Sequence, residues 1–223
     1  MVKAAVMRGY NEPLSIEEIE LHPPRADEVL VKVTAAGVCH SDLSVIECKI
    51  PIPPPAVLGH EGAGIVEEVG SGVSDLKPGD HVLLAWVQNC GKCHYCRAGR
   101  THLCPTGLEM GMSGQDNVFE KDGVPIGKMA GVGCFAEKTV VRATAAIKIR
   151  DDVPLDRASL IGCGVTTGLG AALNTVHVPA GASVAVIGCG GVGLAALQGA
   201  RIVGAGKLIA VDTQPWKLDL ARR

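Results

Sequence analysis

Four cysteines, Cys90, Cys93, Cys96 and Cys104, stand at the spacing C-x2-C-x2-C-x7-C on one polar stretch. That spacing lets successive thiolates turn inward around a single ion, and four soft sulfur donors saturate tetrahedral zinc. A site with no open position ties its loop down and adds metal binding to the folding energy. Two rival readings exist. Four unrelated free cysteines would favour apolar interiors over a polar loop. An iron–sulfur cluster would fit C-x2-C-x2-C followed by Cys104-Pro105, but the last gap is longer than in the bacterial ferredoxin run.

A second group is scattered. Cys39-His40-Ser41-Asp42 and Gly59-His60-Glu61 flank a proline-rich turn, Pro51 to Pro55, and Cys163 lies in Gly162-Cys163-Gly164 about a hundred residues on. Taken singly, each Cys or His fits a buried core residue. Taken together, two thiolates and one imidazole make a three-ligand zinc site whose fourth position stays open, and an open zinc can do chemistry.

The third group is Gly188, Gly190 and Gly193, a G-x-G-x-x-G pattern with Gly191 as a fourth glycine. An apolar run precedes it, helical spacing comes after it, and Asp212 ends the next apolar run. This context predicts a dinucleotide cradle. The first two glycines allow the tight turn and the approach of pyrophosphate to a helix N-terminus, while Gly193 lets helix and strand pack closely. Asp212 would accept the ribose hydroxyls and repel a 2′-phosphate, which favours NAD over NADP. Its alternative role is a strand-end carboxylate capping a turn.

The elements that must hold these groups fall into two styles. Residues 28–36 alternate, with Val29, Val31 and Val33 on one face and Lys32 and Thr34 on the other, the period of a half-buried strand. Similar short runs at 15–19, 63–69, 81–85, 136–141 and 145–149 predict a β-rich barrel or sandwich with few helices. Between Cys90 and Cys134 almost no periodicity survives, so a loop ordered by its cysteines is expected. After Pro154 the pattern predicts helices at 155–161 and 165–173, buried strands at 183–187 and 207–211 separated by a helix at 191–203, and a last helix opened by Pro215.

Composition narrows the classes. The chain has 223 residues, 47% of them hydrophobic and 20% charged, which suits a folded protein rather than a disordered one. A net charge of −2 and only two each of Phe, Tyr and Trp speak against a nucleic-acid partner. Nine cysteines, an odd number, disfavour a disulfide scaffold. The N-terminus has no apolar run of signal length, so a cytoplasmic location is expected. The stretch 158–200 carries no Lys, Arg, Asp or Glu, but Asn174, His177, Pro179, Gln198 and many glycines interrupt it, so a buried α/β core is expected rather than a membrane span.

The words GVCHSDL, GHEGAGIVEEVG, KPGDHV, the four-cysteine loop, GCGVTTGLGAAL and VAVIGCGGVGLAALQGA succeed one another along the whole chain. In this order they resemble the zinc-containing medium-chain alcohol dehydrogenases, nearest the branch of class III and related bacterial enzymes. The resemblance implies a mixed β and α/β fold: a GroES-like β-barrel catalytic domain at 1–164, then the first βαβ part of a Rossmann fold at 165–223. It places Cys39, His60 and Cys163 on the catalytic zinc and Cys90, Cys93, Cys96 and Cys104 on a structural one, two zinc ions per chain. Glu61 falls on a carboxylate that assists ligand exchange, Ser41 on the hydroxyl that takes the alcohol proton, and Asp42 on an acid behind His60. His40 and Thr167 fall on cofactor contacts, and Trp86 on a wall of the substrate pocket. Where some relatives continue the proton relay with His, this chain has Ser44.

The resemblance thus implies a zinc-dependent, NAD-linked dehydrogenase acting on a small alcohol, or on a thiol adduct of an aldehyde. No nucleic-acid or membrane partner is expected, and the full-length form is expected to be a homo-oligomer. Only two of the six strands of such a cofactor fold are present, so the chain is expected to be a fragment with little activity of its own. The rival classes are a non-catalytic zinc-stabilised binding module and an iron–sulfur electron-transfer protein.

Overall fold

The computed structural model describes residues 1–113 and 118–223. The chain divides into two compact units, Met1–Gly162 and Cys163–Arg223. Among its described residues the first contains ten strands: β1 (Val2–Met7), β2 (Ser15–Leu21), β3 (Glu28–Gly37), β4 (Ala56–Val57), β5 (Glu61–Val69), β6 (His81–Leu84), β7 (Phe119–Lys121), β8 (Val124–Lys128), β9 (Lys138–Arg142) and β10 (Ala146–Lys148). Its helices are α1 (His40–Ile46), α2 (His94–Arg97), α3 (Pro105–Ser113) and α4 (Leu155–Ala158).

Strands β1, β2, β7, β8 and β4 close into a barrel, and β10-β6-β5-β3-β9 form a five-stranded sheet. The alternation in β3 is the reason for its central place: Val29 and Val31 are fully buried and pack with Val66, Val82, Leu84 and Val141, while Lys32 and Thr34 face out. A second apolar cluster, with Val6, Ile19, Val57, Phe119 and Ile126, fills the barrel. In the long pairing of β3 with β5, Gly37 stands opposite Glu61, so the segment after β3 and the segment before β5 meet at one sheet end.

Three differences from the sequence expectations have physical causes. The stretch expected to be a loop ordered by its cysteines, without periodic elements, holds α2, α3 and the β7–β8 hairpin. The hairpin strands are three and five residues long and include Pro125 and Gly127, which erases the two-residue period. Strand β1 has no counterpart in the sequence pattern, and the helix expected at 155–161 is a four-residue α4 followed by a 3-10 turn at Ser159–Gly162.

The second unit holds α5 (Gly164–Gly170), a π turn at Ala171–Thr175, β11 (Ser183–Ile187), α6 (Gly191–Ile202), β12 (Lys207–Val211) and α7 (Pro215–Arg222). Strands β11 and β12 pair in parallel, Ser183 against Lys207 through Ile187 against Val211, so the expected βαβ arrangement is present. The expected burial of these strands is corrected. Ile187 is 85% exposed, and Leu208, Ile209 and Val211 are also exposed. Among the described residues the sheet has two strands, each with an open edge, and one helical layer cannot cover both faces. No helix among the described residues is long and apolar enough to cross a membrane.

One ion network fastens the barrel seam. The Glu17 carboxylate on β2 receives Arg8 Nε and Nη2 at 2.8 and 2.6 Å, Lys121 Nζ at 2.6 Å and Ser15 Oγ at 2.5 Å. The Arg8 contacts, then Lys121 and Ser15, hold its pKa well below the usual carboxylate range. A depressed carboxylate stabilises the fold above its unfolded pKa, and that contribution is lost as pH falls through the folded value. Glu17→Gln should therefore cost about 1–2 kcal/mol at neutral pH, the range of a charge-assisted bond discounted for the half-exposed Arg8. Thermal unfolding as a function of pH checks this: the gap between the two proteins should narrow as the pH falls below about 4.

Candidate metal centres and cofactor cradle

Cys90, Cys93, Cys96 and Cys104 lie with their sulfurs within 4.8 Å of one another. The local fold explains why. Cys93 caps α2 and its sulfur receives the Cys96 N–H at 3.5 Å; Cys90 Sγ receives the Cys93 N–H at 3.3 Å; Cys104 Sγ receives the Cys90 N–H at 3.4 Å. Backbone donors aimed at sulfur favour thiolates. The N–H groups of Lys92 and Cys93 draw the Cys90 thiol down to about 6, and those of Gly107 and Cys90 lower Cys104. Burial and the adjoining sulfurs push Cys96 up to about 11. Without a cation the four sulfurs cannot all be charged, and a divalent soft ion resolves that conflict. The donor set and its closeness fit tetrahedral zinc.

The second cluster is built at the end of β3 and β5. Cys39 follows β3 as the N-cap of α1, His60 directly precedes β5 and Glu61 opens it; their ligand atoms lie within 4.8 Å of one another. Glu61 occupies space that exists because its neighbour across the ladder is glycine: a Cβ on Gly37 would overlap the Glu61 carboxylate. His60 and Glu61 are buried and Cys39 is partly buried.

Asp42, 2% exposed, joins these pieces. Its Oδ2 accepts the Cys39 N–H at 2.8 Å, closing a capping box at the start of α1, and its Oδ1 accepts the Gly59 N–H at 3.2 Å. Oδ1 also lies 3.2 Å from His60 Nδ1. A carboxylate only accepts, so Nδ1 donates, and Nε2 is the nitrogen whose lone pair can meet a metal. One geometry thus makes Asp42 both the cap of α1 and the support of His60.

Ser41 Oγ lies 3.6 Å from Cys39 Sγ. Burial raises the Cys39 thiol, but the Ser41 backbone and hydroxyl bonds and the neighbouring His60 outweigh it and leave the pKa lowered. His40 is the first residue of α1 and is partly exposed, and Trp86 beyond β6 is exposed. Cys134, which no sequence motif marks, is buried next to Gly59 and Gly62, and its N–H donates to the Gly59 carbonyl at 3.0 Å. Burial raises its thiol, so it serves as packing behind His60. Only its single, isolated occurrence in the sequence hides that place.

In the second unit Cys163 is the N-cap of α5, and Thr167, whose N–H donates to the Cys163 carbonyl at 2.8 Å, is exposed. Gly188 turns with φ +95° straight after β11, and Gly190 caps α6. Cβ atoms at Gly188, Gly190 and Gly191 would meet nothing within 4 Å, whereas one at Gly193 would overlap the Gly188 carbonyl. The first glycines thus leave an open approach to the α6 N-terminus and the last secures close packing, a fit to a pyrophosphate group. Asp212 has one oxygen on the Cys189 N–H at 2.7 Å and the other on the Gln214 N–H at 2.9 Å, with Lys217 Nζ at 3.7 Å. The Gln214 and Cys189 bonds and Lys217 lower its pKa. Turn capping is therefore present at Asp212, and each oxygen keeps a second lone pair for another donor.

A barrel that presents a four-sulfur cluster and a separate Cys–His–carboxylate cluster, followed by a glycine-turn βαβ unit, is a GroES-like domain of the alcohol dehydrogenase type with the beginning of a Rossmann fold. Residues 25–151 match the alcohol dehydrogenase GroES-like domain. The chain belongs to that family. It is 47% identical over 226 aligned positions to S-(hydroxymethyl)glutathione dehydrogenase of Escherichia coli, covering 99% of this chain and 61% of that protein. An alcohol dehydrogenase zinc-binding domain protein from Burkholderia ambifaria shares its fold with a TM-score of 0.94 at 42% identity, over 99% of this chain and 61% of the other. Benzyl alcohol dehydrogenase from Acinetobacter calcoaceticus matches at 0.91 and 38%, with the same coverage. The chain thus spans about three fifths of the length of these relatives.

The two clusters differ in what they hold together. Metal analysis should find two zinc ions per chain. Cys93→Ser should lose one and unfold the Cys90–Cys104 loop with a marked drop in melting temperature; Cys39→Ser should also lose one yet melt close to wild type. One zinc in the parent protein, or a Cys93 variant as stable as the parent, contradicts this assignment.

Proposed function

We propose that this chain serves a zinc-dependent, NAD-linked oxidoreductase that moves a hydride between an alcohol, or a thiol adduct of an aldehyde, and NAD, giving an aldehyde or ketone. Residues 1–164 form its catalytic domain and residues 165–223 the first part of its dinucleotide-binding domain. The observation that carries the reading is the Cys39–His60–Glu61 cluster with Asp42 braced behind the histidine. The named activities of the relatives, an S-(hydroxymethyl)glutathione dehydrogenase and a benzyl alcohol dehydrogenase, point the same way.

Cys163 completes the ligand set in this reading. It follows Gly162 by one peptide bond, and a Cβ on Gly162 would press on the Leu84 carbonyl and lie 3.8 Å from that of His60. Bound at these sites, zinc would supply Lewis acidity toward the alcohol oxygen and NAD a hydride acceptor. The chain's own residues do the rest. Ser41 takes the alcohol proton at Oγ, and His60 keeps its tautomer because Asp42 accepts at Nδ1. Glu61 stands ready to exchange with a departing ligand. His40 and Thr167 contact the cofactor, and Gly188, Gly190, Gly191 and Gly193 admit its pyrophosphate to the α6 N-terminus. Asp212 orients the adenosine ribose. Trp86 forms one wall for the substrate. The protein acts as a soluble cytoplasmic homo-oligomer on small molecules.

Cofactor choice tests the cradle without turnover. In calorimetric titrations Asp212→Ala should weaken NAD binding by about tenfold, the value of one or two charge-assisted hydrogen bonds, and narrow the preference over NADP. Asp212→Asn, which keeps an acceptor, should fall between. Equal affinities in all three proteins contradict the role of Asp212. Zinc content measured alongside NADH formation over an alcohol panel, on the longest chain obtainable, tests the activity itself: zinc-replete protein of that length without turnover on any alcohol argues for a binding module.

A further inference from the structure

The support of His60 does not end at Asp42. Gly59, the residue before it, takes φ +89°, and a β-carbon there would lie 2.5 Å from Phe135 Cδ1 and 2.9 Å from Cys134 Sγ. The Phe135 ring thus fills the space that a side chain on Gly59 would need. Backbone bonds hold this contact in register. The Phe135 N–H donates to the Leu58 carbonyl and the Cys134 N–H to the Gly59 carbonyl, both at 3.0 Å. The Phe135 carbonyl in turn accepts the Ala5 N–H of β1 at 2.8 Å. Residues 58–59 are therefore fixed against residues 134–135, and these against the barrel.

The same ring reaches both elements that carry donor residues. Phe135 packs against the sheet cluster that includes Val66 of β5 and against the barrel cluster that includes Val57 and Phe119. It also packs against a third cluster, with Val45 of α1, Ile52 and Leu58. Helix α1 begins at Cys39 and contains Ser41 and Asp42, and β5 begins at Glu61, directly after His60. The Asp42 contacts to the Gly59 N–H and to His60 Nδ1 are both 3.2 Å, the long end of the hydrogen-bond range, so a small shift of the 59–60 peptide weakens them. Glycine resists such a shift least, because it adopts many backbone conformations. A stiff ring packed on it supplies the resistance, since close-packed interiors transmit displacement instead of absorbing it.

We propose that Phe135 is a positioning residue for His60: through Gly59 its ring holds the imidazole against Asp42 and so fixes the nitrogen offered to the metal. This deepens the dehydrogenase reading and rests on it, because it needs a metal at the Cys39–His60–Glu61 cluster. A phenyl ring has no lone pair to give a metal, so the role is indirect.

Metal affinity separates positioning from packing. In cobalt titrations of the longest chain obtainable, the cobalt–thiolate absorption lost in Cys39→Ser reports the His60 centre. By that signal Phe135→Leu should bind cobalt about tenfold more weakly than the parent, the low end of what removing the support behind a ligand costs. Phe119→Leu makes the same change at a fully buried ring of the barrel cluster. It should lower the melting temperature to a similar degree and bind cobalt like the parent. Phe135→Met refills the volume with a flexible chain; it should fold and still bind cobalt more weakly than the parent. Cobalt binding in the Phe135 variants equal to that in Phe119→Leu overturns the positioning role and leaves the metal centre standing. Absorption that survives Cys39→Ser unchanged overturns the metal centre and, with it, the role that rests on it.

Discussion

The buried carboxylate of Asp42 is shared among three donors from two separate segments of the chain: the Cys39 N–H on one, and the Gly59 N–H and the His60 ring on the other. The helix start that presents Cys39 and the strand start that presents His60 are thereby fixed to the same two oxygen atoms. Removing this carboxylate would leave buried donors without a partner, a cost of about 1–3 kcal/mol for each, and would free the imidazole to turn. The pairing of β3 with β5 provides the coarse alignment, and Asp42 provides the fine one. Everything proposed for the chemistry depends on that alignment.

The sequence made some of this legible and hid the rest for identifiable reasons. The four-cysteine loop is readable because its ligands are neighbours along the chain, where spacing alone limits geometry. The glycine turn is readable because strand, glycine turn, helix and second strand succeed one another in order, and β11, α6 and β12 appear within a residue of where the pattern puts them. Cys39 and His60 are twenty-one residues apart and meet only because Gly37 pairs with Glu61, a long-range register that no local pattern encodes. Only donor chemistry and family resemblance join them in the sequence.

The β7–β8 hairpin is illegible for a different cause. Strand β7 is too short to show a period, and in β8 Pro125 and Gly127 break the alternation around the buried Ile126. Buried Lys128 ends that strand with its ammonium on the Val140 carbonyl, a residue type that hydrophobic patterning assigns to the surface. Cys134 shows the same limit: its burial behind His60 is a tertiary fact, invisible in an isolated cysteine.

The barrel seam has a kinetic side. Among the described residues strand β2 meets β7 through two ladder pairs, Glu20 with Glu120 and Leu21 with Phe119, although nearly a hundred residues of chain lie between them. So little ladder closing so long a loop cannot form early, because the entropy of loop closure must be met before the contacts return it. The sheet of β3, β5 and β9 can assemble while the barrel is still open. On this ground the ladder at the seam is expected to close late in folding, after which the Glu17 network fastens it, and the amides of β7 are expected to exchange faster than those of β3.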